Sequence, residues 1–304
     1  MISIAMTTFN GEKYIQEQLE SILRQTYSDF ELIIIDDCSY DKTYSLLKKY
    51  INSDDRISLY QNKVNLGFKK NFEKAINLCK GEYIALSDQD DIWSCDHLQY
   101  LFDNIGDKSL VCSNADLINN DGLSLNISMR EILRIEFTPN DDLRIFKHLL
   151  YENFAQGATM LFKKKILDEA FPIPETIMFH DHWLALIAAA NEGVRLLDKS
   201  TIRYRQHELN ITENRKWSFL RSFRRDKSNK YHLCNELFNR VQLKFKSGYR
   251  EEVEAAIKHH QELSKNKYHV FAAIHVAKNY HDIYWVKSKR LLIPRFLKVL
   301  FGMI

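Results

Sequence analysis

Four short apolar runs, separated by helical patterns, constrain the fold of this chain more than any other feature. The runs are rich in β-branched residues and are apolar on both faces. They span residues 2–9 (ISIAMTTF), 31–37 (ELIIIDD), 57–62 (ISLYQN) and 83–88 (YIALSD). Strands of this kind that alternate with helices are typical of a parallel sheet covered by helices. The pattern therefore predicts an α/β fold with a mostly parallel sheet and helices on both faces.

The helices between these runs are predicted from apolar spacing and capping residues. Asn10 is the expected N-cap of a helix that carries Ile15, Leu19 and Ile22 on one face. Two further helices are predicted at residues 42–50 and 71–79.

The alternation changes in the second half of the chain. Residues 154–167 are expected to form a loop with glycine, followed by a strand and a helix. Residues 180–193 are expected to form a helix that ends at glycine, and residues 194–207 one or two strands. From about Trp217 the pattern is helical only. We expect two regions, 1–214 with the sheet and a helical region at 215–304.

Charge and cysteine usage narrow the protein class. Residues 215–304 contain 20 Lys and Arg against 7 Asp and Glu, whereas the whole chain of 304 residues has a net charge of only +3. The five cysteines lack metal-ligand spacing, which favours free thiols in a reducing compartment. No signal peptide is recognisable, and the longest apolar run (LALIAAA) is far shorter than the roughly 20 residues that cross a bilayer. The expected location is the cytoplasm.

Polar side chains follow three of the predicted strands. Thr7 and Asn10 come at the end of the first strand, Asp36 and Asp37 at the end of the second, and an acidic segment after the fourth. Because ligands bind beyond the carboxyl ends of such strands, the three ends predict a shared crevice.

The acidic segment, residues 85–93 (ALSDQDDIW), crowds Asp88, Asp90 and Asp91 together. Such carboxylates repel one another unless a cation lies between them. Ile92 and Trp93 break the EF-hand pattern, and the chain has no GxSxG, P-loop or GxGxxG motif. A solvated turn and a Mg²⁺ or Mn²⁺ site remain as alternatives.

Longer motifs carry a family resemblance. The segment SIAMTTFNGEKYIQEQLESILRQTYSDFELIIIDDCSYDKT, followed by NLGFKKNFEKAINLCKGEYIALSDQDDIW, resembles the family 2 glycosyltransferases of GT-A fold, which is Rossmann-like. QGATMLFKK, HDHWLALIAA and YRQHELNI continue the match. Within the family, SDQDDIW, HDHWLAL and YRQH are most similar to bacterial rhamnosyltransferases of cell-wall and surface polysaccharides.

The resemblance implies a nucleotide-sugar site. Asp37, with Asp36 beside it, would bind the base or ribose, and Lys70 stands where many relatives have an arginine that could contact phosphate. Gly157 would allow close backbone approach, and Trp183 is either a sugar-stacking face or a core residue. The residues expected to bind the nucleotide sugar are Thr7, Phe9, Asn10, Asp36, Asp37, Lys70, Asn71, Asp88, Gln156, Gly157 and Trp183.

It also implies the catalytic and metal-binding residues. Asp181 would be the catalytic base of an inverting transfer, although a carboxylate at a helix start is also favoured by the unpaired amides there. Asp90 and His207 would bind Mn²⁺ or Mg²⁺, with Asp91 as a second candidate ligand. The neighbouring Arg205 is either a strand-surface charge or a partner for the diphosphate.

The C-terminal region suggests a partner surface. Residues 215–230 (RKWSFLRSFRRDKSNK) interleave aromatic side chains with seven Lys and Arg, and 287–304 repeat the theme. One interpretation is an amphipathic helical subdomain with a solvated basic face; another is adsorption to an anionic membrane surface. Nucleic acid is not expected, since no binding module accompanies the charge. Exposed apolar residues here could also face a second copy of the chain.

Together these features predict a cytoplasmic, metal-dependent, inverting glycosyltransferase located peripherally at the inner face of the membrane. The expected reaction moves rhamnose from dTDP-rhamnose to a polysaccharide acceptor, free or lipid-linked. Two alternatives stay open: a UDP-hexose or UDP-N-acetylhexosamine donor, and a non-catalytic scaffold that binds nucleotide sugars.

Overall fold

A computed structural model gives the architecture of the chain. It describes residues 1–133, 135, 141–207, 219–241, 246–265, 270–283 and 299. The expected boundary at residue 214 lies outside the described residues, as do residues 287–298 and 300–304 of the basic C-terminal segment.

Nine strands form one sheet in the described part of the chain. They are β1 (Ile2–Thr8), β2 (Phe30–Asp36), β3 (Ile57–Gln61), β4 (Tyr83–Ser87), β5 (Ile92–Trp93), β6 (Leu110–Ile118), β7 (Ser124–Ser128), β8 (Met160–Lys163) and β9 (Val194–Arg205). The four strands predicted in the first half are β1 to β4, so these predictions are confirmed.

The helices before residue 208 are α1 (Ile15–Leu23), α2 (Thr43–Ile51), α3 (Phe68–Leu78), α4 (His97–Ile105), α5 (Met129–Leu133), α6 (Asp142–Tyr151), α7 (Leu167–Ala170) and α8 (His180–Ala190). Short 3₁₀ turns lie at Gly157–Thr159 and Lys164–Ile166. The later helices are α9 (Phe219–Val241), α10 (Tyr249–Lys265), α11 (Val270–Lys278) and α12 (Tyr280–Ile283).

The sheet order is β3-β2-β1-β4-β8-β6-β9-β5, with β7 paired to β6. Parallel pairing joins β1 to β2 and β4, β2 to β3, and β6 to β9. The strand β8 lies antiparallel between β4 and β6, which makes the sheet mixed. The predicted α/β architecture with helices on both faces is confirmed, and the parallel half is the one that the sequence alternation indicated.

Two hydrophobic clusters cover the two faces of this sheet. One packs α1, α2 and α4 on the sheet through residues such as Leu19, Leu47 and Leu98. The other joins α3, α6 and α8 to the opposite face and continues into the C-terminal helices through residues such as Leu237 and Val253. The described C-terminal helices therefore share their core with the sheet. None of the helices in the described ranges is both long and apolar enough to cross a membrane.

The predicted cap at Asn10 is wrong. Helix α1 begins at Ile15, and Asn10 has a positive φ of 49°. Its amide donates to Ser39 Oγ (2.9 Å), and its side-chain oxygen accepts from the Tyr40 amide (3.1 Å). Asn10 thus joins the loops after β1 and β2, which are the loops that border the predicted crevice.

Candidate active site

The carboxyl ends of β2, β1 and β4 lie side by side, as the sequence predicted. Thr8 is in register with Asp36 of β2, and Met6 with Ser87 of β4. Gln89 links the loops that follow β1 and β4, since it accepts from the Phe9 amide (2.8 Å) and donates to the Phe9 carbonyl (3.0 Å). A Cβ on Gly11 would lie 2.2 Å from Gln89 Oε1, so a larger residue there would displace the end of the Gln89 side chain.

Carboxylates from two distant segments meet beside this edge. Burial, followed by the charges of Asp90 and Asp181, raises the pKa of Asp88 to about 7. The charges of the loop after β4 and of the start of α8 therefore interact, so the two segments border one site. Asp88, Asp90 and Asp181 are each only partly exposed, so water screens their repulsion weakly.

Asp181 lies in the first turn of α8. Burial raises its pKa to about 6, while hydrogen bonds from backbone amides, including those of His182 and Gly157, oppose the rise. The carboxylate therefore loses its proton near neutral pH and is basic enough to take a proton from a substrate. A buried acid with a raised pKa at a strand-end crevice is a typical general-base candidate.

Gly157 faces Asp181 directly. A Cβ added at Gly157 would lie 3.6 Å from Asp181 Cβ and from His180 Nε2, which is ordinary van der Waals contact. The chain's own packing therefore does not require glycine here. Gln156 and Gly157 are both partly exposed beside Asp181.

Asp90 and His207 form a side-chain pair at this site. His207 Nε2 lies 2.7 Å from Asp90 Oδ2, although the two residues are 117 positions apart. No set of three His, Cys, Asp or Glu side chains in the described ranges has the arrangement of a metal site. The pair can thus supply at most one nitrogen and one carboxylate ligand, a donor set that suits Mn²⁺ or Mg²⁺ completed by water and phosphate oxygens.

Asp91 does not join that pair. Its side chain is 1% exposed, and its Oδ1 accepts from the Arg205 amide (3.0 Å). Burial and the charges of Asp90 and Asp88 raise its pKa well above the usual value. Within the described structure its Oδ2 has no hydrogen-bond partner. Asp91 Oδ1 is therefore bound to β9 in the folded chain, and a role of Asp91 as a second metal ligand stays a prediction.

Asp36 and Asp37 are also committed within the chain. Asp36 is fully buried and accepts four hydrogen bonds, from Thr8, Ser39 twice and Gln61. Asp37 accepts from Asn62 Nδ2 (2.7 Å) and from the amides of residues 66 and 67 (2.8 and 2.9 Å). Both carboxylates organise loops at the edge of the crevice, which corrects the expectation that they face a ligand.

Two other predicted contacts prove to be internal. Asn71 is 1% exposed and bonds the Ile35 carbonyl and Asn62. Trp183 has no exposed surface, and its Nε1 donates to the Ala170 carbonyl (2.8 Å). Trp183 is therefore a core residue, because no sugar can reach its ring.

The remaining predicted residues keep accessible positions or line the crevice. Phe9 is 40% exposed and packs edge-to-face on the exposed ring of Tyr40, with centroids 6.0 Å apart. Thr7 lies just below, at the end of β1. Lys70 is half-exposed and pairs with Glu175 (3.0 Å).

Several residues of the site were not predicted. Gln89 lies inside the acidic segment, and Tyr40 follows Asp36 and Asp37 by three to four residues. Their positions next to predicted site residues could therefore have identified them as members of the site. Lys69 donates to the carbonyls of residues 174, 175 and 177 (3.3, 3.0 and 2.9 Å). These residues lie in the segment that precedes α8, the helix of Asp181. Nothing in the local sequence indicates that long-range contact.

Comparison with known proteins agrees with this geometry. The sequence model of the family "Glycosyl transferase family 2" matches residues 3–171. The "dTDP-rhamnosyl transferase RfbG" of Shigella flexneri is 33% identical over 218 residues, which cover 67% of this chain and 72% of that protein.

Two solved structures share the fold. TarS 1–349 of S. aureus in complex with UDP-GlcNAc superimposes with a TM-score of 0.63 at 19% identity, covering 98% of this chain and 81% of that one. The mannosyltransferase PcManGT of Pyrobaculum calidifontis, in complex with GDP-Man and Mn²⁺, gives 0.54 at 16% identity, covering 99% and 87%.

Proposed function

Because the chain belongs to glycosyl transferase family 2, we propose that it transfers a sugar from a nucleotide-sugar donor to a saccharide hydroxyl with inversion at the anomeric carbon. The convergence of Asp181 with the carboxylates of the loop after β4 carries this proposal. This convergence supports a basic carboxylate beside a diphosphate site in which a cation would balance the aspartates.

Asp181 acts as the general base. The acceptor oxygen attacks the anomeric carbon while its proton passes to the Asp181 carboxylate, and the bond between the anomeric carbon and the diphosphate oxygen breaks. The nucleoside diphosphate leaves with the electron pair of that bond. The reacting sugars would lie beside the partly exposed Gly157 and Asp181, which lie next to each other.

The Asp90–His207 pair would hold a divalent ion, Mn²⁺ or Mg²⁺. Such an ion stabilises the negative charge that develops on the leaving diphosphate. The residues fit it because the aspartates repel one another in the protein alone and because Asp90 and His207 present an oxygen and a nitrogen at one point. PcManGT, which shares the fold, binds Mn²⁺ with its GDP-Man.

We favour dTDP-rhamnose as the donor and a surface or cell-wall polysaccharide as the acceptor. The name of the Shigella relative supports this choice. The UDP-GlcNAc complex of TarS supports the alternative, a UDP-hexose or UDP-N-acetylhexosamine donor. Phe9 and Tyr40 are the exposed aromatic side chains beside which a nucleobase would lie, with Thr7 and Asn10 lining the same edge.

The acceptor is free or lipid-linked. A lipid-linked acceptor would suit attachment to the inner face of the membrane through the basic C-terminal region, most of whose aromatic and basic clusters fall outside the described residues. Association through a second copy of the chain is the alternative use of that region.

A donor panel tests the proposal. Thermal shift and calorimetry with dTDP-rhamnose, UDP-glucose, UDP-galactose and UDP-GlcNAc, each with Mn²⁺ and with chelator, should show metal-dependent stabilisation by dTDP-rhamnose alone. A preference for a UDP sugar would replace the donor and keep the mechanism. Anomeric coupling constants of the product, measured by NMR, report inversion or retention. A protein that binds donors but never turns over would be the non-catalytic scaffold.

A further inference from the structure

Arg205 is a buried cation that the proposed reaction has not yet used. Its side chain is 2% exposed. Its guanidinium donates to the Asp90 carbonyl (2.8 Å), to the carbonyls of Asn119 and Asn120 (3.4 and 3.2 Å), and to Glu17 Oε2 (2.6 Å). A buried guanidinium with this many partners is fixed in place. The bonds described above all go to protein acceptors, and the burial of Arg205 excludes the strand-surface charge that was one of its two expected roles.

Arg205 holds the acidic loop on two sides. Its side-chain Nε binds the carbonyl of Asp90, and its backbone amide binds the carboxylate of Asp91. The two bonds tie the loop after β4 to the end of β9, where His207 follows two residues later. The antiparallel pairing of β5 with β9 brings the two segments together, and the bonds of Arg205 then fix the position of Asp90 relative to His207.

Tyr14 links the same arginine to the histidine. The Arg205 guanidinium lies over the Tyr14 ring, 4.7 Å from its centroid. The His207 ring stacks on Tyr14, with centroids 5.1 Å apart and an interplanar angle of 27°. The Tyr14 hydroxyl contacts Asn120 Oδ1, in the loop whose carbonyls Arg205 also binds. One aromatic ring thus sets the plane of the imidazole.

We propose that Arg205 and Tyr14 are positioning residues for the metal-binding pair: Arg205 fixes the backbone of Asp90, and Tyr14 fixes the ring of His207. The inference rests on the proposed function of that pair. Residues that orient metal ligands from outside typically change metal affinity by roughly 10- to 100-fold when they are altered.

The test measures Mn²⁺ binding by the whole chain in the presence of dTDP or UDP, whichever nucleotide the wild type binds. Binding is detected as a loss of the EPR signal of free Mn²⁺. Arg205→Lys keeps the charge but loses the fork of donors, and Tyr14→Leu removes the ring. Each should weaken Mn²⁺ binding about 10- to 100-fold. Donor affinity measured with chelator should stay near that of the wild type.

Two matched variants separate positioning from general damage. Tyr14→Phe keeps the stacking ring, so Mn²⁺ affinity should return to the wild-type value. Glu17→Gln removes the ion pair of Arg205 at a half-exposed carboxylate and leaves the bonds to Asp90 and Asp91. It should also bind Mn²⁺ as the wild type does.

The outcomes are distinct. Mn²⁺ affinities of Arg205→Lys and Tyr14→Leu within about twofold of the wild type would overturn the inference while leaving the metal pair intact. A wild type that binds no Mn²⁺ with either nucleotide would overturn the proposed metal site itself. If Arg205→Lys does not fold, the partly exposed Tyr14 carries the test, with Tyr14→Phe as its conservative control.

Discussion

Two groups of aspartates at the same edge of the sheet have opposite environments. Asp36 and Asp37, after β2, are buried and accept hydrogen bonds from side chains and amides of neighbouring loops. Asp88 and Asp181 are also removed from most water, but each has a pKa raised chiefly by burial. The first group is satisfied by the fold, whereas the second is left with unbalanced charge.

The difference separates structural from functional carboxylates in one molecule. A buried charge whose hydrogen bonds are complete stabilises the loops around it. Carboxylates that repel one another cost stability, and a fold retains them where a ligand or a reaction uses the charge. We infer that the donor and cation belong with the second group, and four substitutions or conditions examine that division.

The largest effect is expected for Asp181→Asn. Loss of the general base should lower kcat by about 10²- to 10⁴-fold while donor binding by calorimetry stays near the wild-type value. Asp168→Asn, at an exposed position on α7, is the matched control and should leave kcat unchanged. Full turnover by Asp181→Asn would remove the carboxylate from the mechanism.

Asp37→Ala should act on folding instead. It removes an acceptor from three donors, namely Asn62 Nδ2 and the amides of residues 66 and 67. Asn62 Nδ2 and the amide of residue 67 each keep a second acceptor, in Asn71 and Asn65. Because such bonds to a charged group are strong, the free energy of unfolding in urea should fall by about 2–4 kcal/mol. If Asp37→Ala has the same urea midpoint of unfolding as the wild type but loses donor binding, then the group of Asp36 and Asp37 is functional as well.

The sequence anticipated the parallel half of the sheet because its strands are local, continuous apolar runs. It missed β5 and the β6–β7 hairpin, where short or bulged pairing replaces a clear period, and it also missed the nine-residue helix α4. The strand β8 is inserted antiparallel between β4 and β6, which depends on long-range pairing that no local pattern encodes.

The same limit applies to the site. Strand ends indicated the crevice beside Asp88 and Asp90, and the family resemblance added Asp181 at the start of a helix. Accessibility did not follow from them. Asp36, Asp37 and Asn71 carry the chemistry of ligand contacts, yet all of their side-chain partners except Ser39 lie 9 to 36 residues away in sequence. Only the folded chain shows that their hydrogen bonds are already made.

Asp88→Asn should stabilise the protein when metal is removed by chelator. The pKa of Asp88 is raised from 3.8 to about 7 in the folded state, so the carboxyl lowers stability progressively as pH rises from about 4 to 7, and the full cost remains above pH 7. Removing the charge should raise the free energy of unfolding by about 1–3 kcal/mol at pH 8. The gain should shrink as pH falls from 7 towards 4, because the carboxyl of the unfolded chain is then protonated as well. A gain that is independent of pH would contradict charge repulsion as its cause.

The smallest effect concerns the pH dependence of turnover. A general base works in its unprotonated form, and the pKa of Asp181 is raised to about 6 in the folded protein. The value of kcat/KM should therefore be level above pH 7 and fall about tenfold for each pH unit below 6. Rates measured with saturating Mn²⁺ at each pH separate this loss from weaker metal binding. Because Asp36 and Asp37 have complete hydrogen bonds, Asp37→Asn should reduce stability. It should leave unchanged the pH range over which kcat/KM falls, which is the acidic limb of the profile. A limb that moves in Asp37→Asn would show that the two groups of aspartates are electrostatically linked, and the division between them would then fail.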